Sequence, residues 1–356
     1  MIEGLIAGIG LIPSVVMFIL VLIGIAASMG AGITEMGTTY NLPNYVGELF
    51  ALTREDTPFL STIGGLTGGK RTTATLFQWQ TYDLRAAAQN VALEGAAAPT
   101  AQARVRANVS NVVEIHQEAV DVSYTKLAAT GQFNSTGSDN AGSVGINGQN
   151  PVLNELSWQT TQTLKQISRD VNFGFLQGTF VNPANNSTAR KTRGIIEAIT
   201  TNVYADSGVL TEDAVLDLMQ MTWENGGIRE SETRTIVVNA GLKRDLTKIF
   251  ITDKDYQESS RNVGGVNLKT IETDFGTTNI MMDAMMPVDT LLVCSLEQCA
   301  PVILEIPGKG FLFIEPLAKV GANEHSQIYG EIGLEYGAEK SHGKITGLTP
   351  STSVQS

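Results

Sequence analysis

The stretch that decides the fold runs from Asn150 to Gly178 and reads NPVLNELSWQTTQTLKQISRDVNFGFLQG. Apolar or small side chains recur in it at gaps of three and four residues, which predicts one stripe along a helix. Asn150 can cap this helix, Pro151 suits its first position and Gly178 can end it. Its length would be roughly 43 Å, so we expect a spine along which other segments pack. The stripe comprises Leu153, Leu156, Thr160, Leu164, Ile167, Val171 and Phe175.

The composition is that of a folded protein with an acidic balance. Hydrophobic residues make up 42% of the 356 residues and charged residues 17%, which is typical of a globular chain of one large domain or two. The formal net charge is −12, so most of the surface should repel nucleic acid. Cys294 and Cys299 do not form a CxxC pair and are too few for a metal cage, which favours a reducing compartment.

The beginning of the chain differs sharply from the rest. No charged residue occurs from Gly4 to Gly30, and this run is long enough to span a bilayer. Three interpretations stay open: a membrane anchor, a signal-like leader, or an extension upstream of a natural start at Met29 or Met36. The segment that follows lacks long periodicity and predicts an extended arm with a short helix near Tyr45–Leu52.

Two strand-like segments surround a tip of small residues and predict a long β-hairpin. Residues 72–84 are rich in β-branched and aromatic side chains, and residues 103–113 alternate between apolar and polar side chains. Each arm would reach roughly 35–45 Å, which is more than one domain can cover. We therefore expect the hairpin to lie on the spine helix or on another subunit.

The second half of the chain alternates helical and strand patterns. Thr211 can cap a helix, and the apolar positions of LKRDLTKIF predict another. The segments TIVVNA, TTNIMMD, TLLVCS, GFLFIEPLA and IYGEIGLEY predict strands. We expect the last six residues, STSVQS, to be disordered.

No stretch of the sequence carries a recognisable catalytic or metal-binding set. GGLTGGKR at Gly64–Arg71 nearly matches the phosphate-binding pattern GxxxxGK[ST], but Arg71 replaces the hydroxyl residue. A strand-like run follows it instead of a helix, so it is interpreted as a glycine turn. Neither HExxH nor GxSxG occurs, and we expect no enzymatic activity, no cofactor and no metal site.

The order of these parts resembles the major capsid proteins of tailed bacteriophages, which have the Hong-Kong-97-like fold. NLPNYVGELFALTREDTPFLSTIGGLTGG resembles their amino-terminal arm, and FQWQTYDLRAAAQNVALEGAAAP resembles their extended loop. TARKTRGI and EPLAKVGANEHSQIYGEIGLEYGAEKSHGKI resemble later segments of the same proteins. Each motif is weak alone, but four in the same order are specific. The resemblance covers about residues 29–349, and the apolar leader departs from it.

The resemblance implies an α+β fold with an amino-terminal arm, an extended β-hairpin loop, a long spine helix, a peripheral domain and an axial α/β domain. Within the peripheral domain, the extended loop is expected at about 72–113 and the spine helix at about 150–178. The expected segments are 1–28 for the leader, 29–57 for the arm, 58–199 for the peripheral domain, 200–305 for the axial domain, 306–349 for the return to the peripheral domain, and 350–356 for a disordered tail.

The resemblance also implies a structural subunit that forms pentamers and hexamers and closes into an icosahedral virus head around packaged double-stranded DNA. Its partners would be further copies of itself, a portal and decoration proteins, with DNA enclosed without sequence-specific binding and no membrane apart from the leader. The protein would reside in the virion after assembly in the host cytoplasm. The residues expected at the subunit interface lie in the extended loop: Phe77, Trp79, Tyr82, Asp83, Arg85, Glu94, Arg104 and Arg106.

Two other functions stay open. An encapsulin-type compartment would have the same fold but would hold cargo enzymes, and nucleic acid in purified particles would separate the two. A membrane-anchored α/β protein would rely on the apolar leader. The long hairpin argues against that function, because a monomeric protein has no use for it.

Covalent joining of subunits is a further property of some members of this family, which link a lysine on the extended loop to an asparagine. No lysine occurs between Lys70 and Lys126, so the tip lacks the nucleophile. Arg85, Arg104 and Arg106 stay protonated and can instead form salt bridges to the next subunit. We therefore expect a non-covalent shell.

Overall fold

The computed structural model describes residues 52–129, 155–206, 208–228, 234–252 and 270–351. The leader, most of the predicted arm and the short helix near Tyr45–Leu52 lie outside these residues, apart from their last few positions. The helices are α1 (Pro58–Ile63), α2 (Tyr124–Ala129), α3 (Glu155–Gln177), α4 (Ile195–Ala198), α5 (Glu212–Glu224) and α6 (Ala240–Thr247). The strands are β1 (Lys70–Thr72), β2 (Leu76–Tyr82), β3 (Arg106–Val112), β4 (Glu114–Ser123), β5 (Val203–Ala205), β6 (Arg234–Val238), β7 (Thr270–Thr273), β8 (Gly276–Met282), β9 (Leu291–Ser295), β10 (Ala300–Leu304), β11 (Leu312–Pro316), β12 (Asn323–Glu335) and β13 (Gly343–Thr346).

Helix α3 is the long helix that the apolar spacing predicts, and its 23 residues span about 35 Å. The predicted caps Asn150 and Pro151 lie outside the described residues. Ile167, Val171 and Phe175 of the predicted stripe are buried, whereas its described positions in the first half of the helix are partly exposed. The second half of α3 therefore provides most of the buried face of this helix.

Among the described residues, one sheet has five strands, in the order β1-β10-β12-β11 with β4 also paired to β12. Strand β12 is its centre, because it pairs antiparallel with β4, β10 and β11. Helix α3 packs against β4 and β12. Ile328, Ile332 and Leu334 of β12 are fully buried in the same cluster as Ile167 and Phe175 of the helix.

The other large sheet of the described residues has six strands, in the order β5-β13-β9-β6-β8-β7. Its two faces are covered differently. Ile236 and Val238 of β6 face a cluster formed with α5 and α6, whereas Val237 faces the cluster that contains α1, α3 and α4. Burial of both faces explains why β6 reads as a continuous apolar run rather than an alternating one.

Helix α1 is held by two buried polar side chains from distant parts of the chain. The Asn172 carbonyl oxygen accepts from Leu60 N–H at 3.0 Å, and the Asp283 carboxylate accepts from Phe59 N–H at 3.4 Å. Asn172 also donates to both carboxylate oxygens of Asp283, at 2.9 and 3.1 Å. These bonds satisfy orphan amides at the first turn of α1, whose own preceding residue, Thr57, makes no side-chain cap.

The two helices expected in the second half are confirmed. The Thr211 hydroxyl accepts from Ala214 N–H at 3.2 Å, so Thr211 caps α5. Leu218 and Met219 of α5 are fully buried. Helix α6 begins at Ala240 and continues into a π-helical turn, Lys248–Thr252.

Two strands join a sheet whose other strands come from different expected segments. Strand β10 begins at Ala300, within the expected axial segment, but joins the five-stranded sheet. Strand β13 lies within the expected return segment, but pairs with β5 and β9 of the six-stranded sheet. Local sequence gives a strand but not its partner, because pairing is decided by distant residues.

The strands of the hairpin are shorter than predicted, and Ser351 is bonded to the folded chain. Strands β2 and β3 pair over seven residues each, about 23 Å, and residues 83–105 contain no helix or strand. Alanine is the commonest residue of that segment, and its small side chain adds little apolar surface to stabilise further strand pairing. Ser351, predicted to be disordered, donates its backbone N–H to Asp245 Oδ2 at 3.0 Å and its hydroxyl to Oδ1.

Candidate functional site

The candidate site is the hairpin formed by β2 and β3, together with the surface that holds its base. Side chains alternate along β2, so that Phe77 and Trp79 face the chain's own core and Tyr82 faces away. Phe77 is 8% exposed and packs with Val113 and Val302. Gly333 permits this packing, because a Cβ there would lie 2.8 Å from the Phe77 ring.

Trp79 fixes the base of the hairpin to the end of β12. Its indole N–H donates to the carbonyl oxygen of Gly337 at 2.7 Å. The ring meets Tyr336 edge to face, with centroids 4.9 Å apart. Such a contact adds about 0.5–1.5 kcal/mol to the burial of the two rings.

Asn111 on β3 is a second anchor, which the sequence analysis missed. Its amide donates to the carbonyl oxygens of Leu334 at 2.7 Å and Arg193 at 3.1 Å. Its side-chain oxygen accepts from the N–H groups of Arg193 and Val112 at 2.8 and 2.9 Å. Asn111 is fully buried, so this side chain joins β3, β12 and the loop before α4 at one point. The signal in the sequence was its polar type at a position in phase with Ala107 and Val109, on the apolar side of the alternation.

Two of the expected interface residues make contacts within the subunit. Phe77 and Trp79 were expected to contact a neighbouring subunit, but their main contacts lie within their own chain. The physical reason is that β2 presents only one face to solvent, and both aromatic rings lie on the other face. They anchor the base of the hairpin, and their place at a subunit interface stays a prediction.

The remaining expected interface residues are exposed. Tyr82 is 72% exposed, and the Asp83 side chain is 85% exposed although its carboxylate lies 3.6 Å from Lys340 Nζ. Arg85 donates to the carbonyl oxygen of Ala86 at 3.0 Å. Glu94, Arg104 and Arg106 are also exposed, so these side chains stay predicted interface residues.

Residues 83–105, which we call the tip segment, also expose apolar side chains. Leu84, Val91, Leu93 and Val105 are each 67–86% exposed. A cluster of exposed large apolar side chains in one segment is typical of a surface that another protein covers. The tip segment is thus held at its base and is uncovered beyond it.

The other sequence motifs have structural roles in the described part of the chain. Gly64–Arg71 contains the turn between α1 and β1, where a Cβ on Gly69 would lie 2.2 Å from the carbonyl oxygen of Pro301. Lys70 pairs with Glu335 at 2.7 Å. This position for the lysine fits the glycine-turn interpretation.

The two cysteines are buried free thiols. Burial raises the pKa of the Cys299 thiol to about 12 and also raises that of Cys294 well above its usual value. Both are therefore protonated at neutral pH and are poor nucleophiles. Within the described ranges, no three histidine, cysteine or acidic side chains are grouped to hold a metal ion, and no helix is both long and apolar enough to cross a membrane.

Comparisons with known proteins agree with this architecture. The family model described as SU10 major capsid protein matches residues 32–349. No curated protein matches the chain.

Three solved structures illustrate the structural likeness. The chain is similar to the capsid asymmetric unit of cyanophage A-1(L), with a TM-score of 0.63, 11% identity, and coverage of 89% of this chain and 99% of that chain. It is similar to the capsid of the native GTA particle, with a TM-score of 0.58, 11% identity, and coverage of 89% and 98%. The holo-SrpI encapsulin complex of Synechococcus elongatus gives a TM-score of 0.53 at 9% identity, with coverage of 88% and 94%. At these identities the likeness establishes the fold alone.

Proposed function

The chain belongs to the SU10 major capsid protein family, and on that premise we propose that it assembles through pentamers and hexamers into an icosahedral head that encloses packaged double-stranded DNA. Membership confirms the resemblance found in the sequence: the protein is a structural subunit of a tailed-phage capsid, which is not an enzyme class. The observation that carries the proposal is the extent of the family match, which includes nearly every described element.

The elements suit the parts that the proposal needs. Helix α3 takes the role of the spine, with the five-stranded sheet as the peripheral domain beside it. The six-stranded sheet with α5 and α6 takes the role of the axial domain, which would surround the centre of each ring. In this assignment β10 belongs to the peripheral domain and β13 to the axial domain.

The tip segment supports the idea that subunits hold one another. Its apolar side chains are exposed on the isolated chain, and covering them on a neighbour would gain about 25 cal/mol per Å² removed from water. Trp79 and Asn111 hold the hairpin base on its own subunit. The exposed Tyr82, Arg85, Glu94, Arg104 and Arg106 would then supply specific contacts. The Asp83 carboxylate would either leave Lys340 for a group on the neighbouring subunit or contact both.

The acidic charge supports enclosure of DNA without binding to it. With a net charge of −12, the shell surface would repel phosphate, so DNA could move during packaging. Portal and decoration proteins would complete the head, and assembly would take place in the host cytoplasm before release in the virion.

An encapsulin-type compartment is the second candidate, and the likeness to the SrpI encapsulin is the observation that favours it. Native particles treated with nuclease and then opened distinguish the two functions. A virus head protects long double-stranded DNA and contains no abundant cargo enzyme. Particles that hold a defined cargo protein and no protected DNA would contradict the proposal.

A further inference from the structure

Helices α5 and α6 cover the same face of the six-stranded sheet. Leu218 and Met219 of α5 share one buried cluster with Leu242 and Leu246 of α6. Helix α5 contacts β5 and β13 at one side of the sheet, whereas α6 follows β6, the fourth strand in the sheet order. Both helices therefore turn their outer surfaces toward solvent in the described chain.

The outer surface of α5 is acidic. Asp213, Asp217 and Glu224 are exposed and spaced by four and seven residues, which places them on one side of the helix. We call these three residues the acidic row. No lysine or arginine occurs in α5, so the row lacks a compensating cation on its own helix. Like charges four residues apart destabilise a helix, which makes an outside cation favourable.

An exposed tryptophan lies beside the acidic row. Trp223 is 58% exposed at the last turn of α5. Tryptophan is enriched among the residues that dominate protein interfaces, because it buries a large area with little loss of side-chain freedom. Its position beside the row gives this surface an apolar anchor as well as charge.

The outer surface of α6 and its π-helical turn is basic. Arg244 and Lys248 are exposed and four residues apart, and Lys243 is partly buried beside them. We call these three residues the basic row. Desolvation by partial burial lowers the pKa of the Lys243 ammonium group. The intervening Asp245 is buried and bonded to Ser351, so its carboxylate is not part of the exposed surface of the row.

The two rows lack ion pairs that other charges of this chain have. Among the described residues, neither Asp213 and Asp217 nor the members of the basic row form a salt bridge. By contrast, Lys309 and Lys319 pair with carboxylates at 2.6 and 2.7 Å. A chain that carries an unpaired acidic surface and an unpaired basic surface can pair them with further copies of itself.

We propose that the acidic row of one subunit binds the basic row of the next copy, with Trp223 as the apolar anchor of this contact. The inference rests on the proposed function and specifies a head-to-tail contact within its rings. A ring requires two different surfaces per subunit that complement each other, and a contact from α5 to α6 repeats in one direction until the ring closes. Close pairs of opposite charge at such an interface contribute most to binding affinity when water is excluded around them.

Charge reversal tests the proposal on the full chain. Asp213→Lys with Asp217→Lys should prevent shell formation, and so should Arg244→Glu with Lys248→Glu, because each variant places like charges in contact. All four substitutions in one chain should restore shells, since every contact is then paired with reversed sign. The matched control is Glu272→Lys with Asp274→Lys, which makes the same charge change at exposed positions outside both rows and should assemble normally.

A mixture of the two double variants gives a sharper result. Each contact is attractive only if the variants alternate around the ring, so rings with an even number of subunits should form and pentamers should not. The mixture should therefore yield hexamer-based sheets or tubes without closed shells in electron micrographs. Trp223→Ala should raise the protein concentration needed for half-assembly by about tenfold.

Folding of each variant is checked by its thermal melting curve, which should match that of the unaltered protein because all the substituted residues are exposed. Normal shells from both double variants would overturn the inference and leave the proposed function intact. So would failure of the fourfold variant to assemble while it remains folded. Failure of the unaltered protein to form shells would contradict the proposed function, and the inference with it.

Discussion

The indole N–H of Trp79 donates to the carbonyl oxygen of Gly337 at 2.7 Å, which joins the hairpin to the residues that follow β12. Gly337 has a φ of 63°, a left-handed conformation that suits glycine. The edge-to-face contact with Tyr336 lies next to this bond. The hairpin therefore begins as part of the subunit core and leaves it only beyond Tyr82.

Replacing Trp79 with alanine should destabilise the isolated subunit by about 2–3 kcal/mol, because it removes a partly buried ring and leaves Gly337 without its donor. Trp79→Phe should cost less, since the ring contact with Tyr336 is kept. Denaturant unfolding of unassembled subunits measures both effects. The matched control is Tyr82→Ala on the exposed face of the same strand, which should change stability by less than about 0.5 kcal/mol. Equal stability of the Trp79→Ala variant and the unaltered subunit would place this tryptophan at an intersubunit contact instead.

Asp283 should be among the residues whose loss most destabilises the subunit. Asp283→Ala would leave the Asn172 amide and the N–H groups of Phe59 and Met285 without an acceptor in a buried region. Each unsatisfied donor costs about 1–3 kcal/mol, so the loss should reach about 3 kcal/mol or more. Unfolding curves of Asp283→Ala and of the exposed control Asp170→Asn provide the comparison. A loss as small as that of the control would show that water replaces the carboxylate.

Glu339 should make the subunit sensitive to acid. Partial burial acts to raise the pKa of its carboxyl, but hydrogen bonds from the Thr201 hydroxyl and from the Thr200 and Thr201 amides outweigh it, so the pKa lies below the usual 4.5. A lowered pKa in the folded state means that this stabilisation is present above pH 4.5 and is lost as the pH falls through the folded-state pKa.

Glu339→Gln should therefore melt at a lower temperature than the unaltered protein near neutral pH, and the difference should shrink below pH 4.5. Glu118→Gln, at an exposed position of β4, is the control and should melt like the unaltered protein at both pH values. A melting difference for Glu339→Gln that does not change with pH would contradict the role given to its carboxylate.

Mature particles should contain no covalent links between subunits. The hairpin has no lysine from Arg71 to Thr125, and its arginines cannot act as amine nucleophiles. A boiled, reduced denaturing gel should show one band near 38.0 kDa, or slightly less if the leader is removed. A ladder of heat-resistant dimers to hexamers would refute this expectation.

Much of the local structure follows from patterns within the sequence. The spacing of Ile167, Val171 and Phe175 predicts helix α3, and Thr211 marks the start of α5 because a side-chain cap acts within three residues. The apolar run of β6 predicts a buried strand. In these cases the interactions that decide the structure lie close together along the chain.

The parts that the sequence did not predict depend on distant residues. Asn111 is satisfied by Arg193 and Leu334, which lie 82 and 223 positions away. Strand β13 joins the six-stranded sheet through β5 and β9, and nothing in its four residues specifies those partners. The contacts of Trp79 with Tyr336 and Gly337 likewise join residues that are distant in sequence. The aromatic pattern of the strand does not specify them.

The central claim is that copies of this chain build a closed shell, and electron microscopy of the purified full-length protein tests it most directly. The account predicts closed particles of uniform diameter whose reconstruction has icosahedral symmetry, with five subunits around each five-fold axis and rings of six between them. Sedimentation of the same sample should show one large species. A protein that is folded by its melting curve but remains monomeric, or forms only small oligomers over the concentration range tested, would contradict the account.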